Sequence, residues 1–405
     1  MNKITKQQAQ IFFFNNFQFQ NQHIMFLTDE HHLIRKTVRE FAEREIKPVA
    51  KDLDDHAEFS IELTQKMGEI GLFGITVPHE YGGQGMDYLS YIIAVEELAR
   101  IDSSQAATIA AHNSLGIGPL LNFGNEEQKQ KYLPQLCTGK ALWAFGLTEP
   151  EAGSDSRNTK TNARLENDNW IINGSKIFIT NGASSINIGA TVQVLSGESR
   201  TLKEFSCILV DAGTPGFKRV KMHDKMMWRA SDTAELYFDD CTVPETNLLG
   251  KRGEGSRIML NTLDSGRLSI AAMGLGLSQG AFELAMKYGK ERKQFGKPIA
   301  HFQANTFKLA DMATKIELAR NLLYKACWLK DQHKAFAKEA AMAKLYCSEI
   351  AKEIADEAVQ IHGGYGLMKS YDIERFYRDQ RLLQIGEGTS EIQRLVISRH
   401  IGVWD

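Results

Sequence analysis

The stretch "NWIINGSKIFITNG", Asn169–Gly182, is where helical patterning gives way to something else. Two short β-prone runs flank Asn173-Gly174, a dipeptide suited to tight hairpins because both of its residues accept positive φ. The spacing predicts a hairpin there. "FSCILVDAG" (Phe205–Gly213) and "ELYFDDCTV" (Glu235–Val243) continue the strand-like character, with Gly and Pro between them. The predicted β domain therefore covers residues 146–255.

Outward from it, both flanks read as helical. "HHLIRKTVREFAEREIKPVAKDLD" (His31–Asp54) sets Leu33, Val38, Phe41 and Ile46 near helical spacing with charge between them. "PHEYGGQG" (Pro78–Gly85) is a loop by composition, and "YLSYIIAVEELARID" (Tyr88–Asp102) resumes the helix pattern. After residue 255 no proline follows Pro298. "AMAKLYCSEIAKEIADEAVQIHGG" (Ala341–Gly364) puts Ala343, Cys347, Ile350, Ile354 and Ala358 on one stripe that stops at Gly363-Gly364. Successive helices of this kind predict an antiparallel bundle. The expected fold is α+β multidomain: an α-helical domain over 25–145, a β domain over 146–255 and an α bundle over 256–405. Residues 1–24, rich in Gln, Asn and Phe and lacking Arg and Ser, match neither a transit peptide nor a secretory signal. They are expected to be a non-native or disordered extension, with Met25 as the natural start.

Composition narrows the function. The 405 residues carry a formal net charge of -2, so no strong field favours nucleic acid or an anionic membrane. The most apolar run, "LSIAAMGLGL" (Leu268–Leu277), falls short of the roughly 18 residues of a membrane span. The five cysteines are scattered, with no CxxC, as in a reducing compartment. No HExxH, P-loop or GxSxG is present, and no metal site is expected. "GLGLSQG" (Gly274–Gly280) is one residue too long for GxGxxG and follows no strand, so it reads as close helix packing.

Two segments carry candidate chemistry. "GLTEPEAGSD" (Gly146–Asp155) offers Thr148 and Ser154 hydroxyls and backbone N–H groups to a polar ligand, and Phe178 and Thr180 alternate on one strand where a flat ring can pack. Domain-junction glycines and ordinary sheet packing explain the same residues equally well. In "QIGEGTSEIQR" (Gln384–Arg394), Ser390 and Gln393 fit a capping box, so a helix starts near Thr389–Glu391. Glu387 precedes it between Gly386 and Gly388, where the backbone can approach a ligand closely. An acid near a helix N-terminus is commonly just stabilised by the dipole; a catalytic base there needs burial and a pKa raised toward neutrality.

Taken together, "GLTEPEAGSD", "RKQFGKPIAHFQ" (Arg292–Gln303), "QIHGGYGLMKSYDIERFYRD" (Gln360–Asp379) and "EGTSEIQR" (Glu387–Arg394) resemble the acyl-CoA dehydrogenase family. The likeness runs from about Met25 onward and departs only at motif margins, at Asn158 and Ser370. It implies an α domain, a β-barrel-like middle domain and a C-terminal four-helix bundle, assembled as a homotetramer. It implies FAD bordered by Phe145, Leu147, Thr148 and Ser154, with Phe178 and Thr180 at the ring. Arg292, Gln294 and Phe295 correspond to contacts across a subunit boundary. Gln303, Gln360, Gly363, Gly364, Thr389 and Glu391 correspond to further cofactor contacts. Ser154, Asp264, Arg267 and Gly388 fall on the acyl-CoA side.

By the same resemblance Glu387 is the base that removes the α-proton, the β-hydrogen leaves as hydride to FAD, and electrons pass to an electron-transfer flavoprotein. Relatives that carry the base on another helix do so at the position of Gly266, and glutaryl-CoA relatives carry an arginine at the position of Ala106. "HNSLGIGPLLNFGNEEQKQKYLPQL" (His112–Leu136) and "LDSGRLSIAAMGLGLSQGAFELA" (Leu263–Ala285) are most similar to short-chain, butyryl-type members. Gly386 stands where a bulky aromatic often precedes the base, which widens the expectation to short branched chains. A same-fold flavin oxidase or monooxygenase is the alternative, and a non-catalytic acyl-CoA- or FAD-binding partner a third reading, disfavoured by the retained Glu387. The implied setting is fatty acid β-oxidation in a bacterial cytoplasm, without membrane insertion.

Overall fold

The structure, a computed structural model, describes residues 27–198 and 203–403. The expected extension over residues 1–24 lies outside them. The first layer is helical: α1 (Asp29–Phe41), α2 (Lys47–His56), α3 (Ile61–Glu69), α4 (Tyr88–Ala99), α5 (Ser103–Ala111), α6 (Gly118–Phe123) and α7 (Glu126–Leu136). A capping box opens α1: the Thr28 side chain accepts from the His31 N–H, and His31 Nδ1 accepts from the Thr28 N–H at 3.0 Å. His31 Nε2 then meets Asp87 at 2.9 Å, and Asp87 caps α4 by accepting from the Ser90 N–H at 2.8 Å. One acid thus ties two helix starts together. Leu33 departs from expectation: it is 64 % exposed, whereas Val38, Phe41 and Ile46 are buried. Leu33 stands five residues before Val38 on the same helix, about 140° away at 3.6 residues per turn, so it falls off the buried face before the π-turn over Ala42–Ile46 begins.

The second layer is a sheet of β1 (Leu142–Gly146), β2 (Asn162–Glu166), β3 (Asn169–Thr180), β4 (Asn187–Glu198), β5 (Lys203–Asp211), β6 (Phe217–Lys221), β7 (Thr233–Pro244) and β8 (Leu248–Leu249). The strand order is β6-β7-β3-β2-β4-β5-β8, with β1 parallel to β4. A division at 145/146 therefore cuts through β1. The hairpin expected at Asn173-Gly174 is also displaced. β3 runs through both residues, and the turn joining β2 to β3 is Asn167-Asp168, both with positive φ. Gly174 instead marks a bulge in the pairing with β7, and a Cβ there would lie 2.6 Å from Thr161 Cα. A second bulge falls between Lys176 and Ile179. It leaves Phe178 with φ 62° and its ring 63 % exposed, while Ile179 returns to the core.

The third layer is the bundle: α8 (Gly255–Glu291), a short hairpin of β9 (Lys293–Gln294) and β10 (Lys297–Pro298), α9 (Gln303–Asp331), α10 (Ala337–His362), α11 (Ile373–Asp379) and α12 (Ser390–His400). The stripe Ala343, Cys347, Ile350, Ile354 and Ala358 is buried, and α10 ends at Gly363 with φ 60°. The glycines of "GLGLSQG" work as helix contacts. A Cβ at Gly276 would sit 2.1 Å from the Glu96 carbonyl oxygen, and one at Gly280 2.1 Å from that of Arg100, so α4 lies directly on α8. Buried ion pairs cross the same boundary: Arg100–Glu283 at 2.9 Å, Arg320–Glu96 at 3.1 Å and Arg375–Asp102 at 2.8 Å. Such pairs roughly offset their own desolvation, and breaking one leaves a costly unpaired charge, so they fix the register of the layers. By length and composition α8 is apolar enough to cross a membrane, yet 83 % of its most apolar stretch is buried inside the protein. It serves here as the central core helix.

Candidate active site

Glu387 follows a short turn of 3-10 helix (Gln380–Gln384) and precedes α12. Its φ of 51° is unusual for a side-chain-bearing residue, and Gly388 continues the left-handed path with φ 90°. The carboxylate turns inward against α8. A Cβ added to Gly266 would lie 1.7 Å from Glu387 Oε2, so only a residue without a side chain leaves room for the acid. Glu387 as a whole is partly accessible, but Oε2 is shut away from solvent with no hydrogen-bond partner among the described residues. Burial raises its pKa to about 7, against the opposing pull of Lys344 and Arg267. Nor is an acceptor found for the Glu387 N–H among the described residues.

The walls come from three helices. On α8, Arg267 pairs with Asp264; burial lowers the guanidinium's pKa and raises the carboxyl's. On α10, fully buried Lys344 donates to the Gly388 carbonyl at 2.7 Å, and burial lowers its pKa to about 8. On α4, Tyr88 donates its hydroxyl to the Ser265 carbonyl at 2.8 Å, and Tyr91 to that of Ala110 at 2.8 Å. The expected capping box at Ser390 and Gln393 does not form. Thr389 is the N-cap, accepting from the Ile392 N–H, while Ser390 donates to Glu349 at 2.7 Å. Gln393 turns back instead and donates to the Gly388 carbonyl at 2.9 Å and to the Glu387 carbonyl at 3.2 Å.

The β-domain candidates form a second group. The loop from Gly146 to Asp155 is anchored by Glu149, which pairs with the fully buried Lys176 at 2.7 Å and accepts from the Lys160 and Thr161 N–H groups. Lys176 also donates to the Leu147 carbonyl at 3.1 Å, and the Ile177 N–H to that of Thr148 at 2.9 Å. Leu147 and Thr148 are therefore pinned beside β3, Phe145 is buried in β1, and Ser154 is exposed. The sequence reading missed Lys176 and Lys344. Both stand at inward positions of otherwise apolar patterns, and that misfit was the available signal.

A third group faces outward. Phe295, at the tip of the β9–β10 hairpin with φ 51°, is 93 % exposed. The Arg292 guanidinium lies over the Tyr365 ring at 5.6 Å, beside exposed Gly363 and Gly364. Gln294, Gln303, Gln360 and Glu391 are exposed as well. Among the described residues, none of this hairpin's contacts reaches the Glu387 cluster.

A helical layer, a sheet and a helical bundle thus enclose one buried acid on a glycine-flanked turn against the bundle's central helix. The chain belongs to the acyl-CoA dehydrogenase family. It matches that family's N-terminal domain over residues 28–140, its middle domain over 144–241 and its C-terminal domain over 253–402. It is 47% identical over 377 residues to an acyl-CoA dehydrogenase of Bacillus subtilis, covering 93% of this chain and 99% of that one. It is 46% identical over 377 residues to the short-chain specific acyl-CoA dehydrogenase of Clostridium acetobutylicum, with 93% and 98% covered. The butyryl-CoA dehydrogenase of Megasphaera elsdenii superposes with a TM-score of 0.90 at 42% identity, covering 93% and 98%. A chain from "Electron transferring flavoprotein of Acidaminococcus fermentans: Towards a mechanism of flavin-based electron bifurcation" gives 0.91 at 46% identity, covering 93% and 98%. Members of the family are FAD-dependent, and the close relatives act on short-chain acyl-CoA thioesters.

Proposed function

We propose that Glu387 is the base of an α,β-dehydrogenation that converts a short-chain acyl-CoA to the trans-2-enoyl-CoA. The observation that carries this reading is the enclosed, unpartnered Oε2 of a carboxyl group whose pKa burial lifts to about 7. Such a group is ionised to a useful extent near neutrality, yet basic enough to take a weakly acidic carbon-bound proton. The free Glu387 N–H is suited to polarise the thioester carbonyl as the α-carbon loses its proton, in the manner of an oxyanion hole. FAD, when bound, takes the β-hydrogen as hydride.

The cofactor roles are part of the same proposal. Thr148, Ser154, Thr180, Gln303 and Gln360 make no side-chain hydrogen bond among the described residues, and Phe178 keeps its ring uncovered near them in sequence. These are the capacities a flavin and its ribityl and phosphate groups require. Gly363 and Gly364 present bare backbone, since a Cβ on either meets nothing within 4 Å. Phe145, Leu147, Thr389 and Glu391 complete the set. Arg292, Gln294 and Phe295 protrude as if to serve a neighbouring copy, which supports a homotetramer. Asp264, Arg267, Ser154 and Gly388 are assigned to the thioester side.

A short straight or branched monocarboxylic chain is favoured. Ala106 is buried in α5 and offers no cation to an ω-carboxylate, and a Cβ at Gly386 would meet only Leu382 at 3.6 Å. Electrons pass to an electron-transfer flavoprotein in a bacterial cytoplasm; likeness to the Acidaminococcus chain supports that acceptor.

The test is an anaerobic visible spectrum before and after butyryl-CoA. The expected result is a yellow protein whose flavin bleaches at once and stays bleached until an acceptor is added. A flavin that stays oxidised with butyryl-CoA and with other short straight or branched acyl-CoAs refutes the substrate assignment. Rapid re-oxidation by air at the turnover rate points to the oxidase.

A further inference from the structure

The peptide that carries Glu387 is gripped from two sides. Glu387 holds a φ of 51°, which side-chain-bearing residues seldom adopt, and Gly388 continues the path at 90°, where glycine is free to go. Lys344 reaches it from α10, fully buried in line with Ala340 and Cys347, and donates to the Gly388 carbonyl at 2.7 Å. Gln393 reaches it from α12, also fully buried, and donates to the same carbonyl at 2.9 Å and to that of Glu387 at 3.2 Å. The lysine is an unusual choice for such a position. Burying an ammonium group costs several kcal/mol unless it is well compensated.

Its surroundings do explain it. Facing Glu387 from α8 is Arg267, whose charge is already taken by Asp264. Facing it from α10 is Lys344, which has no carboxylate within ion-pair distance among the described residues. Glu349 on α10 and Glu391 on α12 act on the ammonium more weakly than Glu387 does. Glu349 is engaged by Ser390 and by Gln384 at 2.8 Å. From α4, Tyr88 and Tyr91 face the site as phenols that burial keeps neutral.

We propose that Lys344 and Gln393 are positioning residues for proton transfer: their N–H groups fix the carbonyls that aim the Glu387 carboxylate and N–H, and the Lys344 ammonium keeps that carboxylate ionised. This rests on the reading of Glu387 as the base. A lost positive neighbour favours the protonated acid, so the acid limb of the rate profile must move to higher pH.

The experiment is anaerobic stopped-flow reduction of the FAD-loaded, full-length protein by butyryl-CoA, over roughly pH 5.5 to 9. Lys344→Met should lower the limiting rate about 10- to 100-fold and raise the acid limb by about one pH unit. Lys344→Gln keeps a donor but no charge. It should show the same limb with a rate within about tenfold of wild type. Gln393→Leu should slow reduction without moving the limb. A merely structural role would reduce flavin content and leave the pH midpoint alone. A wild-type midpoint in Lys344→Gln overturns the electrostatic role even if Lys344→Met fails to load FAD. A wild-type rate in Gln393→Leu overturns the grip. Glu387→Gln, run alongside, separates the two levels: normal reduction there refutes the base itself, whereas an inactive Glu387→Gln with normal Lys344 variants refutes only the positioning roles.

Discussion

Glu387→Gln should make the protein more stable while removing its activity, and the gain should depend on pH. The carboxyl group's pKa rises from its ordinary 4.5 to about 7 on folding. Between those values the folded state holds a proton that the unfolded chain has released, so wild-type stability falls as pH rises. Below 4.5 both states are protonated and the penalty disappears. Above 7 it is complete and amounts to roughly 3 kcal/mol. Gln has the shape of the protonated acid and carries no charge, so it escapes the penalty. Urea denaturation of the substrate-free holoprotein, followed by far-UV circular dichroism, reads the difference directly. At pH 8 the variant should exceed wild type by about 2–3 kcal/mol, shrinking to under about 1 kcal/mol at pH 5. Flavin reduction by butyryl-CoA should meanwhile drop by several orders of magnitude. A stability difference that is the same at both pH values, or a variant less stable at pH 8, would refute the reasoning. It would mean that Lys344 and Arg267 compensate the carboxylate in full.

Other outcomes follow from the same geometry. Lys176→Met strands the buried Glu149 carboxylate and should cost about 3–5 kcal/mol together with loss of flavin. The Lys176→Met/Glu149→Leu double variant should recover most of the stability in thermal unfolding. Gly280→Ala places a methyl 2.1 Å from the Arg100 carbonyl oxygen and 2.6 Å from the Phe376 ring, and should cost about 3 kcal/mol or more by the same measurement. Phe295→Ala should leave the circular dichroism spectrum unchanged but weaken flavin retention about tenfold, read by absorbance after gel filtration.

The three-layer plan was legible because period-3.6 and period-2 patterns extend over long segments, as in the buried stripe from Ala343 to Ala358. Glu387 stood out because it lies between two glycines in a stretch that resembles a family motif, although an acid before a helix is commonly only dipole-stabilised. What was illegible depended on neighbours distant in the chain. Asn173-Gly174 has ideal turn chemistry, but pairing with β7 on the far side keeps β3 continuous through it, and the less distinctive Asn167-Asp168 takes the turn. Ser390 and Gln393 match a capping box in spacing. Yet the carbonyls of Glu387 and Gly388, exposed by their left-handed path, offer Gln393 better partners. Leu33 was misplaced because a five-residue step to Val38 is too far from helical spacing, about 140° round α1, to keep both on one face. Lys344 and Lys176 interrupt apolar patterns at inward positions, a signal present in the sequence, but only the packing shows which groups they bond.

The contact between position 266 and Glu387 Oε2 also bears on how such proteins diverge. The gap between α8 and the 387 turn has room for a single acid, and relatives of the other type furnish it from the helix. Gaining an acid at 266 while keeping Glu387 would force two carboxylates into one dry space. Losing Glu387 first would leave no acid at all. If Glu387 is the base, as proposed above, an acid can move to position 266 only together with the loss of Glu387. The two positions then behave as one coupled choice, and substitutions at 266 and 387 should be strongly non-additive.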